Sequence, residues 1–552
     1  MYDSRSHEGS IVTDAPFDIP QPPLAPLPAA RWNERLALRV LQIGAIACVL
    51  AVTTIFLFDL DRFFVPKELV LHVTACLAGL LLLPMLARNE PTRVERLLAL
   101  YVGLSALSAL FATNGWIAFR ALALTISAVI LLRCARALRE AGLARGLITA
   151  LAVAVVIAVL TALVQAYGIE SRFFATTRAP GGTLGNRNFI AHAAAFSLPL
   201  VLLAALRARS RRRFRVGASG VMLLVAVLVL TRSRAAWLAL AAVLLVLATA
   251  MLASRALRRD RATWRRLAGI ALFAGAALAL SLIVPNALHW RGSNPYATSI
   301  KHVTDYKEGS GRGRLVQYER SLRMALHHPL LGVGPGNWPV EYPQFALRGD
   351  PSMSDTEGGM TANPWPSSDW VAVLSERGLG AFLILVLVFC SLAFSAMRQL
   401  RSAQTAEEAM QAAALLGTLA AAAVAGTFDA LLLLALPTLL VWTAIGALAV
   451  PDVSRARVHP RTRSIIALLM VIAAGVAAFR SAAQLQAMNV CMTRSDRASL
   501  LAAAQLDPGN YRLQLRLARS GRRAERCEHA LAAHALFPHA DAARAAAASC
   551  GR

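Results

Sequence analysis

Acidic residues are scarce in this chain. Asp and Glu number 31 against 57 Lys and Arg over 552 residues, a formal net charge of +26. An excess of that size ordinarily points to nucleic acid. Here the basic residues gather in short connections between apolar runs, Arg207 to Arg215 above all, where membrane topology alone accounts for them. No nucleic-acid partner is expected. Cysteine is sparse too, seven residues in all, with no CxxC or Cys/His spacing that builds a metal site. Cys48, Cys76, Cys134 and Cys390 fall in or beside apolar runs, where a thiol behaves as a small hydrophobe. No metal or cofactor is expected. The first 30 residues are polar and Pro-rich, unlike a cleavable signal peptide, and residues 1–34 read as a disordered tail.

Apolar sequence is abundant instead. Hydrophobic residues make up 57% of the chain and mean hydropathy is +0.53, above the roughly 45–50% apolar content of soluble domains. Repeated apolar runs predict an all-α, polytopic transmembrane bundle of about 12–13 spans. They centre near 36–58, 67–87, 96–113, 117–135, 146–168, 189–206, 216–231, 235–254, 268–288, 378–396, 409–427, 430–450 and 464–483. If the pair around Phe428 and Asp429 is a re-entrant hairpin, the total is twelve. Four alternate connections, at 86–96, 133–145, 207–215 and 254–266, are strongly basic, whereas those between them are not. Lys and Arg are retained on the cytoplasmic side, so the N-terminus is expected in the cytoplasm. The domain plan is then a cytoplasmic tail to 34, spans over 35–288, an outward-facing loop over 289–369, spans over 370–485 and an outward-facing helical tail over 486–552.

The long loop concentrates aromatics, with Trp290, Trp338, Trp365, Tyr296, Tyr306, Tyr318 and Tyr342 within it. Long connections without their own structure are uncommon and often functional. The same composition also fits an ordinary extramembrane loop with interfacial aromatics. The C-terminal tail alternates apolar helices with an Asp507–Asn510 turn (DPGN), a tetratricopeptide-like hairpin. One or two such hairpins do not stand alone, so this piece should lean on the membrane domain or on a periplasmic protein partner. Cys491, Cys527 and Cys550 would lie in an oxidising compartment, where one pair is open to bridging.

The alternation puts four polar clusters on one outward face. They are GGTLGNRN (Gly181–Asn188), TRSR (Thr231–Arg234), SGRGR (Ser310–Arg314) with Tyr318, and SSDW (Ser367–Trp370). Retention of positive charge gives no reason for Arg232 and Arg234 on that side. Interfacial snorkelling is one reading; the other is an anion site, because guanidinium groups grip phosphate oxygens bidentately. Arg187 and Arg314 share the face. The GVGPGN stretch (Gly332–Asn337) lacks the Gly-Lys-Ser/Thr of a nucleotide loop and reads as a structural turn. His327 and His328 close an expected helix over Leu315–Leu326, where cations often serve as caps.

These clusters, in this order, resemble the O-antigen ligase and polymerase family, also called Wzy_C or WaaL-like. GTLGNRNFIA resembles its Gly-Asn-x-Asn entry, and TRSRAAW its Thr-x-Ser-Arg-Gly/Ala-x-Trp span start. GRLVQY followed by HHPLLGVGPGNW is similar to its Gly-Arg and His-Pro-Leu stretches, and SSDWVAVLSERG to its His-Asn-Asp-Tyr segment. The resemblance covers about Leu36 to Val450. It implies transfer of a glycan from undecaprenyl diphosphate to lipid A–core, polysaccharide or protein at the outer face of the inner membrane. Carried over, Arg234 and Arg314 would stabilise the diphosphate leaving group, and Asn186, Arg187, Asn188 and Arg232 would line the donor pocket. Tyr318, Trp338 and Trp365 would contact sugar. The chain departs from the family where its His falls on Ser367 and its Asn on Ser368. A hydroxyl does not replace an imidazole as base near neutral pH. Asp369 is the nearest ionisable substitute, and also a candidate N-cap for the helix at Trp370; Glu341, Asp355 and Glu357 are others. A transporter or flippase of lipid-linked anions, and a non-catalytic polysaccharide-assembly partner, remain rival readings.

Overall fold

A computed structural model describes residues 30–56, 60–175, 177–290, 295–301, 309–450 and 458–551. Most of the Pro-rich tail, and Tyr306, lie outside the described residues. Among those described, regular structure is helical throughout, with one isolated antiparallel bridge between Met353 and Thr361. The first part of the chain forms α1 (Trp32–Leu50), α2 (Asp61–Arg88), α3 (Arg93–Leu110), α4 (Gly115–Glu140) and α5 (Ala144–Ala166). Next come α6 (Arg187–Leu206), α7 (Arg211–Thr231), α8 (Arg234–Ala253), the short α9 (Arg255–Arg259) and α10 (Arg261–Ile283). The long loop holds α11 (Pro295–Lys301), α12 (Gly309–His327) and α13 (Trp338–Glu341). After it run α14 (Asp369–Ser402), α15 (Ala406–Phe428), α16 (Ala435–Leu448) and α17 (Pro460–Thr493). The tail is α18 (Arg497–Leu506), α19 (Tyr511–Leu517), α20 (Arg523–Leu536) and α21 (Asp541–Ala548).

Ten of these helices, among the described residues, are long and apolar enough to cross a membrane: α2, α4 to α8, α10, α14, α15 and α17. This is a multi-pass membrane protein. The count is lower than the 12–13 spans expected, for two physical reasons. α1 and α3 have the length, yet each carries three charges in its first turns, Glu34, Arg35 and Arg39 in one and Arg93, Glu95 and Arg96 in the other. α16, expected as a span over 430–450, has only 14 residues, all buried. At 1.5 Å per residue it reaches about 21 Å, short of a hydrocarbon core of roughly 30 Å. It packs against α4 as an interior helix.

The basic connections meet at one end of the bundle. Arg463 pairs with Glu90 at 2.9 Å, Arg136 with Glu95 and Glu140 at 2.8 and 2.9 Å, and both Arg145 and Arg207 reach Glu407. The long loop covers the other end. Asn337 is bonded to Asn114 there, and Tyr318 to the end of α15. The two kinds of connection are therefore segregated in space as well as alternating in sequence.

α17 continues without a break from the bundle into the tail, so the tail rides on a helix rather than a linker. Ala487 and Cys491 of α17 pack with Leu500, Ala503, Leu513 and Leu517 in a small core. A second core sets Tyr511, Ala533, Leu536, Ala540 and Ala543 against Met360 of the loop. The Asp507–Asn510 turn is built as its sequence suggests, Asn510 Oδ1 accepting from Leu513 N at 3.2 Å to cap α19. Cys527 and Cys550 form a disulfide, while Cys491 is free and buried.

Candidate functional site

The first cluster forms a tight backbone turn into α6. Gln165 Oε1 accepts from the Gly181 and Gly182 N–H groups (2.9 and 2.8 Å), and Gly185 adopts φ +77° against the Phe63 ring. A Cβ there would lie 2.5 Å from Phe63, so only glycine fits. Asn186 is buried and caps α6 through its Oδ1, accepting from Asn188 N at 2.9 Å. Its side chain is thereby used by the fold. Arg187 and Asn188 remain half-buried at the helix start.

The second cluster turns from α7 into α8 through a strained residue. Thr231 Oγ1 donates to Val227 O at 2.8 Å, and the Trp237 indole reaches back to Leu228 O at 2.7 Å, closing the end of α7. Between them Arg232 takes φ +53°, alone among the described non-glycine residues in the left-handed region. A side chain there costs about 1–2 kcal/mol, strain of the kind that gathers at functional sites. The turn throws the guanidinium onto Trp290, 4.8 Å from the ring centroid, while Nε and Nη2 donate to Ser299 Oγ at 2.9 and 2.8 Å. Arg187 faces the same ring at 4.9 Å. Given 4.8 and 4.9 Å to a shared centroid, the cations are no more than about 10 Å apart. Burial holds the Arg232 pKa below the usual arginine range, with Tyr296 opposing. Trp290 Nε1 and the Tyr296 hydroxyl are buried and have no hydrogen-bond partner among the described residues. Two half-buried cations beside two donors without partners among the described residues make a candidate anion site. Arg234 opens α8, half-buried, two residues further on.

The third and fourth clusters meet at the connection from α15 to α16. Tyr318 of α12 donates its hydroxyl to Ser367 O at 2.9 Å and to Thr427 O, and Gln317 Oε1 accepts from Ser367 N at 2.6 Å. Arg314 lies one turn earlier on the same helix face, half-buried, with its Nε buried and unpartnered among the described residues. The N-cap of α14 is Ser368, one residue before the expected Asp369; its hydroxyl accepts from Val371 N and donates to Gly426 O at 3.0 Å. Asp369 is the first helical residue instead. Its carboxylate, 1% exposed, accepts from Leu431 N and Leu432 N at 2.9 to 3.0 Å and holds that connection to α14. His192, one turn along α6 from Asn188, sits on the other side, its Nε2 3.6 Å from Asp429 Oδ2. Both ring nitrogens are buried without a hydrogen bond among the described residues.

The GVGPGN segment is structural, as expected. α14 breaks at Gly378 (φ +79°), leaving a short helix Asp369–Arg377 whose last carbonyls need donors. Val333 N and Gly334 N supply them to Ser375 O and Glu376 O at 3.0 and 2.8 Å, and Leu379 N returns to Pro329 O at 2.9 Å. The Glu376 carboxylate accepts from Gly336 N and Trp338 N at 2.8 and 3.3 Å, at the start of α13. Trp338 is wholly buried, stacked near Tyr342 with its indole donating to Ser321 Oγ at 2.8 Å. It belongs to the core of the loop. Trp365 is different. It packs edge-on to Phe64 (5.0 Å) and beside Phe189 (6.1 Å), two residues from Arg187, and it lines a cavity of about 660 Å³. Of the other acids, Glu341 accepts from Thr113 Oγ1 at 2.6 Å, Glu357 pairs with Arg512 at 2.9 Å, and Asp355 lines that cavity.

Residues 219–386 match the family model Wzy_C, O-antigen ligase. This stretch is similar to the O-antigen ligase domain. No curated protein matches the chain. The matched segment runs from within α7 into α14 and takes in Arg232, Arg234, Arg314, Tyr318, Trp338, Trp365 and Asp369. Asn186, Arg187, Asn188 and His192 precede it, and the fold brings them to the same end of the bundle. An O-antigen ligase match among many membrane-crossing helices suggests a glycan-transferring membrane enzyme, and the family in general uses a lipid-linked glycan and an acceptor.

The arrangement contains residues that sequence motifs did not single out. Trp290 and Ser299 orient Arg187 and Arg232, and His192 pairs with Asp429 across the helix interior. Only the spacing of His192, four residues after Asn188 on one helix face, was legible beforehand.

Proposed function

We propose that this chain transfers a glycan from undecaprenyl diphosphate to a hydroxyl acceptor at the periplasmic face of the inner membrane. The observation that carries the reading is the convergence of Arg187 and Arg232 on Trp290, beside indole and phenol donors that have no partner among the described residues. The acceptor oxygen attacks the anomeric carbon, the bond from that carbon to the diphosphate oxygen breaks, and the electron pair leaves with the diphosphate. The hydroxyl proton passes to the departing diphosphate or to water. Negative charge grows on the leaving group, and fixed cations already half-buried offset it without reorganisation. Arg187 and Arg232 hold the diphosphate, and Arg234 and Arg314 complete its neutralisation. Asp369, engaged by Leu431 and Leu432, positions the connection rather than taking a proton.

The test uses the purified chain in detergent with an undecaprenyl-diphosphate oligosaccharide. Release of free carrier diphosphate that depends on an acceptor glycan, and that disappears in Arg314→Ala, supports transfer. Movement of the intact donor across vesicles, with its anomeric bond unbroken, would show a flippase instead. No release with any polysaccharide or lipid A–core acceptor would leave the chain as an assembly partner.

A further inference from the structure

A second site lies away from the arginines on Trp290. The 660 Å³ cavity is walled by the starts of α2 and α4, the loop over 354–365, the break in α14, α17 and the turn between α18 and α19. The tail is fixed over it. Asn114 Nδ2 donates to Leu536 O at 3.2 Å, Asp541 N to Gly358 O at 2.9 Å, and Gly509 lies so close to Trp116 that a Cβ would be 2.4 Å from it.

The chemistry of this lining differs from that of the arginine cluster. Six carboxylates (Asp61, Glu68, Asp355, Glu357, Glu376, Asp507) face four arginines (Arg120, Arg377, Arg480, Arg512), a balance that disfavours a polyanion such as a diphosphate. Several charges are already paired, Arg120 with Glu68 at 2.7 Å and Arg512 with Glu357 at 2.9 Å. Others are not saturated. Gln484, 9% exposed, has a buried Oε1 without a partner, and the Nε atoms of Arg377 and Arg480 are likewise buried and unpartnered among the described residues. Trp116, Trp365 and Tyr511 add aromatic faces. Paired carboxylates with spare acceptor capacity, idle N–H donors and flat rings match a molecule with many hydroxyls and little charge. The volume falls within the few hundred to about 1,000 Å³ usual for such ligand sites.

We propose that this cavity binds an uncharged oligosaccharide, the acceptor glycan, and that the tail turn over Asp507–Arg512 is its roof. The word acceptor rests on the transfer reading above; the saccharide site itself does not. The Phe64–Phe189–Trp365 triad joins the cavity wall to the Arg187 end of α6.

An oligosaccharide array probed with the full-length chain in detergent tests this, followed by titration with the oligosaccharide that binds. The wild type should bind, and Gln484→Ala and Arg480→Gln should each weaken binding at least tenfold with thermal stability kept. Arg232→Gly should bind the same oligosaccharide as tightly as wild type, even where it releases no carrier diphosphate. That separation distinguishes failure of the transfer reading from failure of this one. No binding across the array, or unchanged affinity in both Gln484→Ala and Arg480→Gln, would overturn the proposal.

Discussion

Arg187 and Arg232 face one indole. The first residue of α6 and the left-handed residue between α7 and α8 lie 45 positions apart, yet both guanidinium groups sit within 5 Å of the Trp290 centroid (4.9 and 4.8 Å). Like charges held this near repel, and desolvation adds to the cost. The fold maintains the pair with cation–π contacts and the Ser299 hydroxyl, and among the described residues no carboxylate pairs with either cation. A diphosphate supplies negative charge there.

The strain at Arg232 predicts an unusual substitution pattern. Arg232→Gly removes the guanidinium but relieves the positive φ, so the protein should fold at least as stably as wild type. Carrier-diphosphate release should fall by about 10²–10³, the usual effect of losing one fixed donor to developing charge. Thermal melting and the release assay on one preparation read both effects. Loss of stability along with activity would mean that the side chain serves the fold.

Tyr318 offers the opposite case. Its single hydroxyl proton is shared between Ser367 O and Thr427 O, so Tyr318→Phe removes that donor from both carbonyls. The expected cost is roughly 1–3 kcal/mol of stability. A sugar-binding tyrosine would instead show a normal melt and a raised acceptor KM. Denaturation in detergent decides between them.

Gly378→Ala should be among the most damaging single changes in the chain. A Cβ there would lie 2.2 Å from Leu330 O, at a backbone φ of +79° that L side chains rarely adopt. More than about 2 kcal/mol should be lost, enough to reduce the yield of monodisperse protein. Normal yield and melting would contradict the clasp between the GVGPGN segment and the break in α14.

Tail docking should weaken on acidification. Burial holds His539 and His529 below the ordinary histidine value of 6.5, although Glu341 near His539 opposes the shift. A depressed histidine favours the folded state fully above 6.5 and loses that contribution as pH falls toward the folded value. Protease protection of α18–α21 should therefore be lower at pH 5.5 than at 7.5. Reduction of Cys527–Cys550, which closes a loop of 23 residues, should lower it further, by roughly 3 kcal/mol of tail stability. Unchanged protection in both arms would contradict the docking.

Much of this architecture was legible in the chain because membrane insertion writes large periodic signals. Apolar runs located the helices, and basic connections sorted their ends, which the Arg463–Glu90 and Arg207–Glu407 pairs bring together. What failed were cases where length and charge compete with hydropathy. α16 is apolar enough for a span but too short, because Asp369 draws residues 431–432 into a turn before it begins. The motif residues divided in a way their sequence does not reveal. Asn186, Tyr318, Trp338 and Asp369 are taken up by caps, clamps and core, while Arg187, Arg232 and Trp365 keep faces toward open space or one another. Trp290 went unassigned because it lies outside the four motif clusters, one of several indoles in the long loop. His192 and Asp429 meet only through helix packing.

Direct binding of the carrier tests the central claim most simply. Undecaprenyl diphosphate without a glycan would be titrated into the detergent-solubilised chain and into the double variant Arg187→Gln, Arg232→Gly, with melting used to confirm that both are folded. The account predicts that the wild type binds, that raising salt weakens it, and that the double variant binds at least a hundredfold more weakly. Equal affinity of the two proteins would show that the diphosphate is held somewhere other than beside Trp290.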